Sequence, residues 1–129
     1  MHGPDRQERI LIVDDHPANV RLLERILMRE NYSQVRSTYD ARQVASLCEE
    51  FRPDVVLLDL NMPHINGFEL MKELHAGENP SSTVVLSGDA TSEARERALA
   101  EGADEFLSKP FDRAELLRMI TGILQARSA

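Results

Sequence analysis

Five residues of this chain combine chemical type and position in a way that could move a phosphoryl group. Asp14 and Asp15 follow the apolar run ILIV, Asp59 closes VVLL, Ser87 follows TVVL and Lys109 follows EFLS. Three neighbouring carboxylates repel one another unless a cation or a proton intervenes. A hard divalent ion resolves this, and Mg²⁺ suits a site of one or two carboxylates, waters and a phosphate. Asp59 is then the candidate nucleophile, because a carboxylate can accept a phosphoryl group as an aspartyl phosphate. Charge on the transferring group needs a positive partner, which Lys109 supplies, while the Ser87 hydroxyl can donate to a phosphoryl oxygen. Asp14 and Asp15 could instead cap the helix that Pro17 opens. Capping, however, does not need two adjacent acids.

What brings these residues together is the order of the elements. Short apolar runs alternate with amphipathic patterns, which predicts an α/β fold with a parallel sheet. Strands are expected at Ile10–Val13, Gln34–Ser37, Val55–Leu58, Val84–Leu86 and Glu105–Ser108. Between them, Val20, Leu22, Leu23, Ile26 and Leu27 recur at helical spacing after Pro17. Asp40 to Phe51 reads as a helix with Asp40 as N-cap and Val44, Leu47, Cys48 and Phe51 facing inward. Phe68, Met71 and Leu74 mark a third helix. Thr91 to Glu101 forms a polar fourth one ended by Gly102 in a left-handed conformation. Asp112 to about Gln125 forms the last. Ligands of such folds bind beyond the C-terminal strand ends, and all five chemical residues stand there. Pro110 after Lys109 marks a tight turn whose X–Pro bond can be cis, aiming the amine inward.

Length and charge narrow the class. The 129 residues fit one domain, with a core from about residue 8 to 125 and no output domain visible. A formal net charge of −7 argues against direct nucleic-acid binding. The single cysteine, Cys48, excludes an internal disulfide and reads as a small core residue. No apolar run approaches the roughly 20 residues of a membrane span, and the N-terminus lacks a signal-peptide pattern. A cytoplasmic protein without membrane contact is expected. His2, His16, His64 and His75 scatter over tail and loops and are expected to be solvated. The alternating charges of SEARERALAE predict a solvated helix face.

The stretches ILIVDD, VVLLDLNMPHINGFEL, TVVLS and GADEFLSKPF resemble the receiver domains of bacterial two-component response regulators. The resemblance runs from about Glu8 to Gln125. It implies a doubly wound, flavodoxin-like five-stranded sheet of order 2-1-3-4-5 with five helices. By that resemblance Asp59 is the phosphoacceptor and Asp14, Asp15, Asp59 and the backbone carbonyl of Asn61 hold Mg²⁺. Ser87 and Phe106 take the switch positions, and Lys109 is the site lysine. The implied mechanism is a phosphorelay. A sensor histidine kinase or histidine phosphotransfer protein presents a phosphohistidine to Asp59, and the receiver later hydrolyses the acyl phosphate. Phosphorylation then draws Ser87 inward, lets Phe106 turn in, and reshapes the surface of helix four, strand five and helix five. A downstream protein or fused output domain reads that surface, and the resemblance leaves room for a phosphorylation-dependent homodimer. Gly88, where alanine is frequent in the family, gives a more open approach to the site. Phe106 lacks the hydroxyl of a tyrosine, so a switch there must work by packing.

The main alternative is a phosphatase of the haloacid dehalogenase type. Its chemistry places an acid two residues after the nucleophile, where this chain has Asn61, which cannot exchange a proton. The expected role is therefore a signalling receiver that catalyses only its own phosphorylation and dephosphorylation. The stretch DDHPANVRLLERIL is similar to receivers joined to cyclic-di-GMP enzymes or kinases.

Overall fold

Period-two alternation decides which side of the sheet each strand residue meets. In the computed structural model, which describes residues 6–60, 62, 67–75 and 80–128, the elements run β1 (Arg6–Val13), α1 (Pro17–Arg29), β2 (Tyr32–Thr38), α2 (Val44–Phe51), β3 (Val55–Asp59), α3 (Gly67–His75), β4 (Ser82–Ser87), α4 (Ser92–Ala100), β5 (Glu105–Ser108) and α5 (Arg113–Ser128). A 3₁₀ turn, Ala41–Gln43, leads into α2. The five strands form one sheet of order β2-β1-β3-β4-β5, and every neighbouring pair is parallel. The expected fold class is the one observed.

Two core layers follow from the alternation. Leu11, Val13, Val56 and Leu58 pack with Val44 of α2, Leu70, Met71 and Leu74 of α3 and Ala98 of α4. Ile10, Ile12, Val55 and Leu57 face the other way, onto Val20, Leu23 and Leu27 of α1 and Leu116 and Ile120 of α5. β3 lies between β1 and β4 with all five residues buried, which is why it reads as an unbroken apolar run.

Several boundaries differ from expectation. β1 starts four residues before Ile10, because Arg6 and Arg9 pair only with β2, whereas pairing with β3 begins at Ile10. A strand segment with one neighbour can stay polar, and its sequence hides it. Leu22, expected inside, is 48% exposed. It lies one position off the Val20, Leu23, Leu27 stripe and so turns about 100° away from it. Asp40 does act as a cap, but of the 3₁₀ turn, accepting the Arg42 N–H at 2.9 Å. Of the expected inner face of α2, Val44 and Phe51 are buried and Leu47 and Cys48 half-buried. Burial pushes the Cys48 thiol above its ordinary range, as befits a packing residue.

At the other end of the sequence, Thr91 caps α4 by accepting the Ala94 N–H, and Gly102 follows with φ +115°. α4 buries only Ala98. Its expected solvated face is partly used, since the Arg97 guanidinium stacks 4.0 Å from the Phe68 ring centroid of α3. Among the described residues, no helix is long and apolar enough to cross a membrane.

Candidate functional site

Parallel strands of matched register bring their C-terminal ends to one edge, and that edge collects the expected side chains. Asp59, the last residue of β3, pairs with Leu86, so Ser87 stands one residue further along β4. Ser87 in turn pairs with Ser108, and its carbonyl accepts the Lys109 N–H at 2.7 Å. On the far side, Asp14 leaves β1 with its N–H donated to Thr38 O at 3.2 Å. The Lys109–Pro110 peptide bond is cis. The matched register brings Lys109, Asp14 and Asp59, distant in sequence, together.

The Lys109 ammonium sits 3.4 Å from Asp14 Oδ2 and 3.6 Å from Asp59 Oδ2. Both carboxylate side chains are 1% exposed and the lysine 23%. Asp15 is half-buried beside them, and its Oδ1 atom is buried without a hydrogen-bond partner. Ligand atoms of Asp14, Asp15, His16 and Asp59 all lie within 4.8 Å of one another. Two like charges about 4 Å apart repel by about 4 kcal/mol at an effective dielectric near 20. One ammonium against three carboxylates leaves negative charge uncompensated. That donor set, with a buried oxygen still lacking a donor, fits a small divalent cation.

Ser87 is buried, and its Oγ accepts the Asp89 N–H at 3.0 Å. Asp89 itself is exposed and accepts the Thr91 N–H. Hydrogen bonds from the Thr91 backbone and side chain hold its carboxyl below the usual carboxylate range. Gly88 is exposed, and nothing lies within 4 Å of where a Cβ would stand, so the approach past it is open as expected.

Three expectations change. The Phe106 ring, expected to turn inward on phosphorylation, is already buried, 5% exposed, within the cluster that holds Val85, Ala98 and Ala103. An aromatic ring without a hydroxyl has no polar tip to keep at the surface, which is compatible with this burial. Neither Asp14 nor Asp15 is the N-cap of α1. That position is His16, whose N–H donates to Asp14 Oδ1 at 2.9 Å. His16 itself was expected to be simply solvated. Its side chain is 64% exposed, yet Nδ1 lies 3.0 Å from Asp15 Oδ1 and 3.4 Å from Asp14 Oδ1. Its place directly after the acid pair was the available signal. His2, His64 and the Asn61 carbonyl lie outside the described residues. His75 is half-buried, 3.4 Å from Thr83 Oγ1 and far along the chain from the acids.

Known proteins share the sequence pattern and the fold. The profile described as the response regulator receiver domain matches residues 10–121. The chain is 35% identical over 121 residues to the transcriptional regulatory protein PrrA of Mycobacterium leprae, covering 94% of this chain and 52% of PrrA. It is 32% identical over 117 residues to the cell cycle response regulator CtrA of Brucella ovis, covering 91% of this chain and 50% of CtrA. It thus spans about half the length of these curated relatives. In three dimensions it is similar to a CheY-like response regulator receiver domain protein of Methanospirillum hungatei. There the TM-score is 0.86 at 28% identity, over 95% of this chain and 98% of that one. These matches set aside the phosphatase alternative: the chain belongs to the response regulator receiver domain family of two-component signalling.

Proposed function

We propose that this receiver takes a phosphoryl group onto Asp59 and passes the change on through the α4–β5–α5 surface. The observation that carries the reading is the meeting of Asp59 with Asp14, Asp15 and Lys109 at one sheet edge. In the transfer, an Asp59 carboxylate oxygen forms the new O–P bond as the N–P bond of a phosphohistidine breaks. The released imidazole takes up a proton. Lys109 lies close enough to the carboxylate to meet charge on the phosphoryl oxygens. Asp14 and Asp15, with Asp59, would hold Mg²⁺, which when bound neutralises charge on the incoming phosphoryl group. Hydrolysis of the acyl phosphate returns the carboxylate.

Ser87 is the element that answers. Its Oγ accepts the Asp89 N–H while its own O–H remains to donate to a phosphoryl oxygen, so a hydroxyl drawn to that group pulls on the β4–α4 turn. Phe106, buried in the same cluster as Ala98 of α4, supports the α4 side of that turn. The donor is a sensor histidine kinase or a histidine phosphotransfer protein. The receiver of the signal is a downstream protein, a fused output domain or a second copy of this chain. Catalysis in this reading is confined to the domain's own phosphorylation and dephosphorylation, in the cytoplasm.

Incubation with Mg²⁺ and acetyl phosphate, followed by intact-mass measurement, tests the assignment. Wild type should gain one phosphoryl group and Asp59→Asn none. Equal gain by both proteins would move the acceptor elsewhere.

A further inference from the structure

We propose that His16 is itself a ligand of the divalent ion, and that it moves the site's preference from Mg²⁺ toward late transition ions such as Co²⁺ and Ni²⁺. This rests on the acid cluster being a metal site and adds an imidazole nitrogen to it.

The spacing of His16 to the two acids is compatible with shared coordination. Two ligand atoms each about 2.1 Å from one octahedral ion stand roughly 3.0 Å apart when adjacent and roughly 4.2 Å apart when opposite. Nδ1 of His16 lies 3.0 Å from Asp15 Oδ1 and 3.4 Å from Asp14 Oδ1. A simple hydrogen bond from the ring to Asp15 would explain the shorter contact, but Asp15 Oδ1 has no hydrogen-bond partner despite it. The two atoms are thus close without forming a hydrogen bond. Ligands of a common ion have this relation, since their lone pairs converge on a third point.

The backbone holds the ring in place. His16 is the N-cap of α1, with extended φ −99° and ψ 109°, and its N–H is tied to Asp14 Oδ1 at 2.9 Å. Pro17 fixes the next backbone angle. Lys109 occupies the other oxygen of Asp14, so the two cationic or donor groups divide that carboxylate between them. The selectivity follows from ligand chemistry. Oxygen donors alone suit Mg²⁺, whereas an imidazole nitrogen favours Co²⁺, Ni²⁺ and Zn²⁺, whose affinities rise along the Irving–Williams order.

Calorimetric titration of the whole chain at pH 8 with Mg²⁺, Co²⁺ and Ni²⁺, for wild type and His16→Gln, reads the preference directly. Proton NMR of the Co²⁺-loaded protein reads the bond, through a hyperfine-shifted exchangeable imidazole N–H. Wild type should show that resonance and bind Ni²⁺ at least tenfold more tightly than Mg²⁺. In His16→Gln the resonance should vanish and Ni²⁺ binding weaken about 10- to 100-fold, with Mg²⁺ affinity changed less than threefold. Co²⁺ bound without a shifted imidazole resonance would overturn the role of His16 while leaving the carboxylate site standing. Failure to bind any of the three ions would overturn the metal site itself.

Discussion

Lys109 stands against two carboxylates whose side chains are almost wholly enclosed, and its loss exposes what it compensates. Removing one partner of a buried ion pair leaves the other charge with its desolvation cost unmet. Because the lysine is 23% exposed, water replaces part of its contribution. We expect Lys109→Ala to lower unfolding free energy by about 1–3 kcal/mol in the absence of divalent ions, measured by urea denaturation. Added Mg²⁺ should recover more stability in the variant than in wild type, since the ion takes over the neutralising role. Phosphoryl uptake should persist in weakened form while the response of any partner is lost. An unchanged midpoint would show that Lys109 does not hold the acid pair. At this scale the sequence was informative where a residue ends a strand. Asp14, Asp15, Asp59, Ser87 and Lys109 stand at the edge because alternation and order placed them there. For His16 the only signal was its place directly after the acid pair, which does not by itself report where the ring turns.

The apolar centres of the strands were legible in the sequence, and several of their polar ends were not. β5 runs Glu105–Ser108 as expected, and β3 differs only in taking in Asp59. The polar start of β1 was hidden because its order comes from backbone pairing with β2 alone. The end of α4 was legible from one glycine, and the structure gives a second reason for it. Gly102 has φ +115°, and a Cβ there would lie 2.7 Å from His75 Nδ1. Both backbone angle and space therefore oppose a side chain. Gly102→Ala should cost about 1–3 kcal/mol, read as a lower urea midpoint with unchanged slope. The cost arises between α3 and the turn entering β5, so it loosens the α4 side of the sheet. A loss below a few tenths of a kcal/mol would mean that the turn and His75 both yield freely.

Across the whole molecule, the two edges of the sheet do different work. The C-terminal edge concentrates negative charge. The opposite edge is closed by Arg127, near the end of α5, which donates to Pro80 O at 3.0 Å and Ser82 Oγ at 3.1 Å and lies 3.7 Å from Asp54 Oδ1. Asp54 also accepts the Arg9 N–H at 2.9 Å, so the clamp joins α5 to the middle of β1 and to the starts of β3 and β4. The sequence reading stopped the helix at Gln125 and missed this clamp, because its partners are a carbonyl and side chains from distant segments. Asp54 and Asp59 flank the length of β3, and five strand residues span roughly 16 Å. Perturbations that far apart with no shared partner should add to within about 0.3–0.5 kcal/mol. Arg127→Ala, which removes partly solvated hydrogen bonds, should cost about 1 kcal/mol and leave phosphoryl uptake by Asp59 unchanged. Combined with Asp14→Asn, its effect on urea stability should be the sum of the single effects. A coupling clearly above that limit, or slower phosphorylation in Arg127→Ala alone, would show that the rigid central strand carries energy from one edge to the other. The base of α5 would then belong to the signalling path.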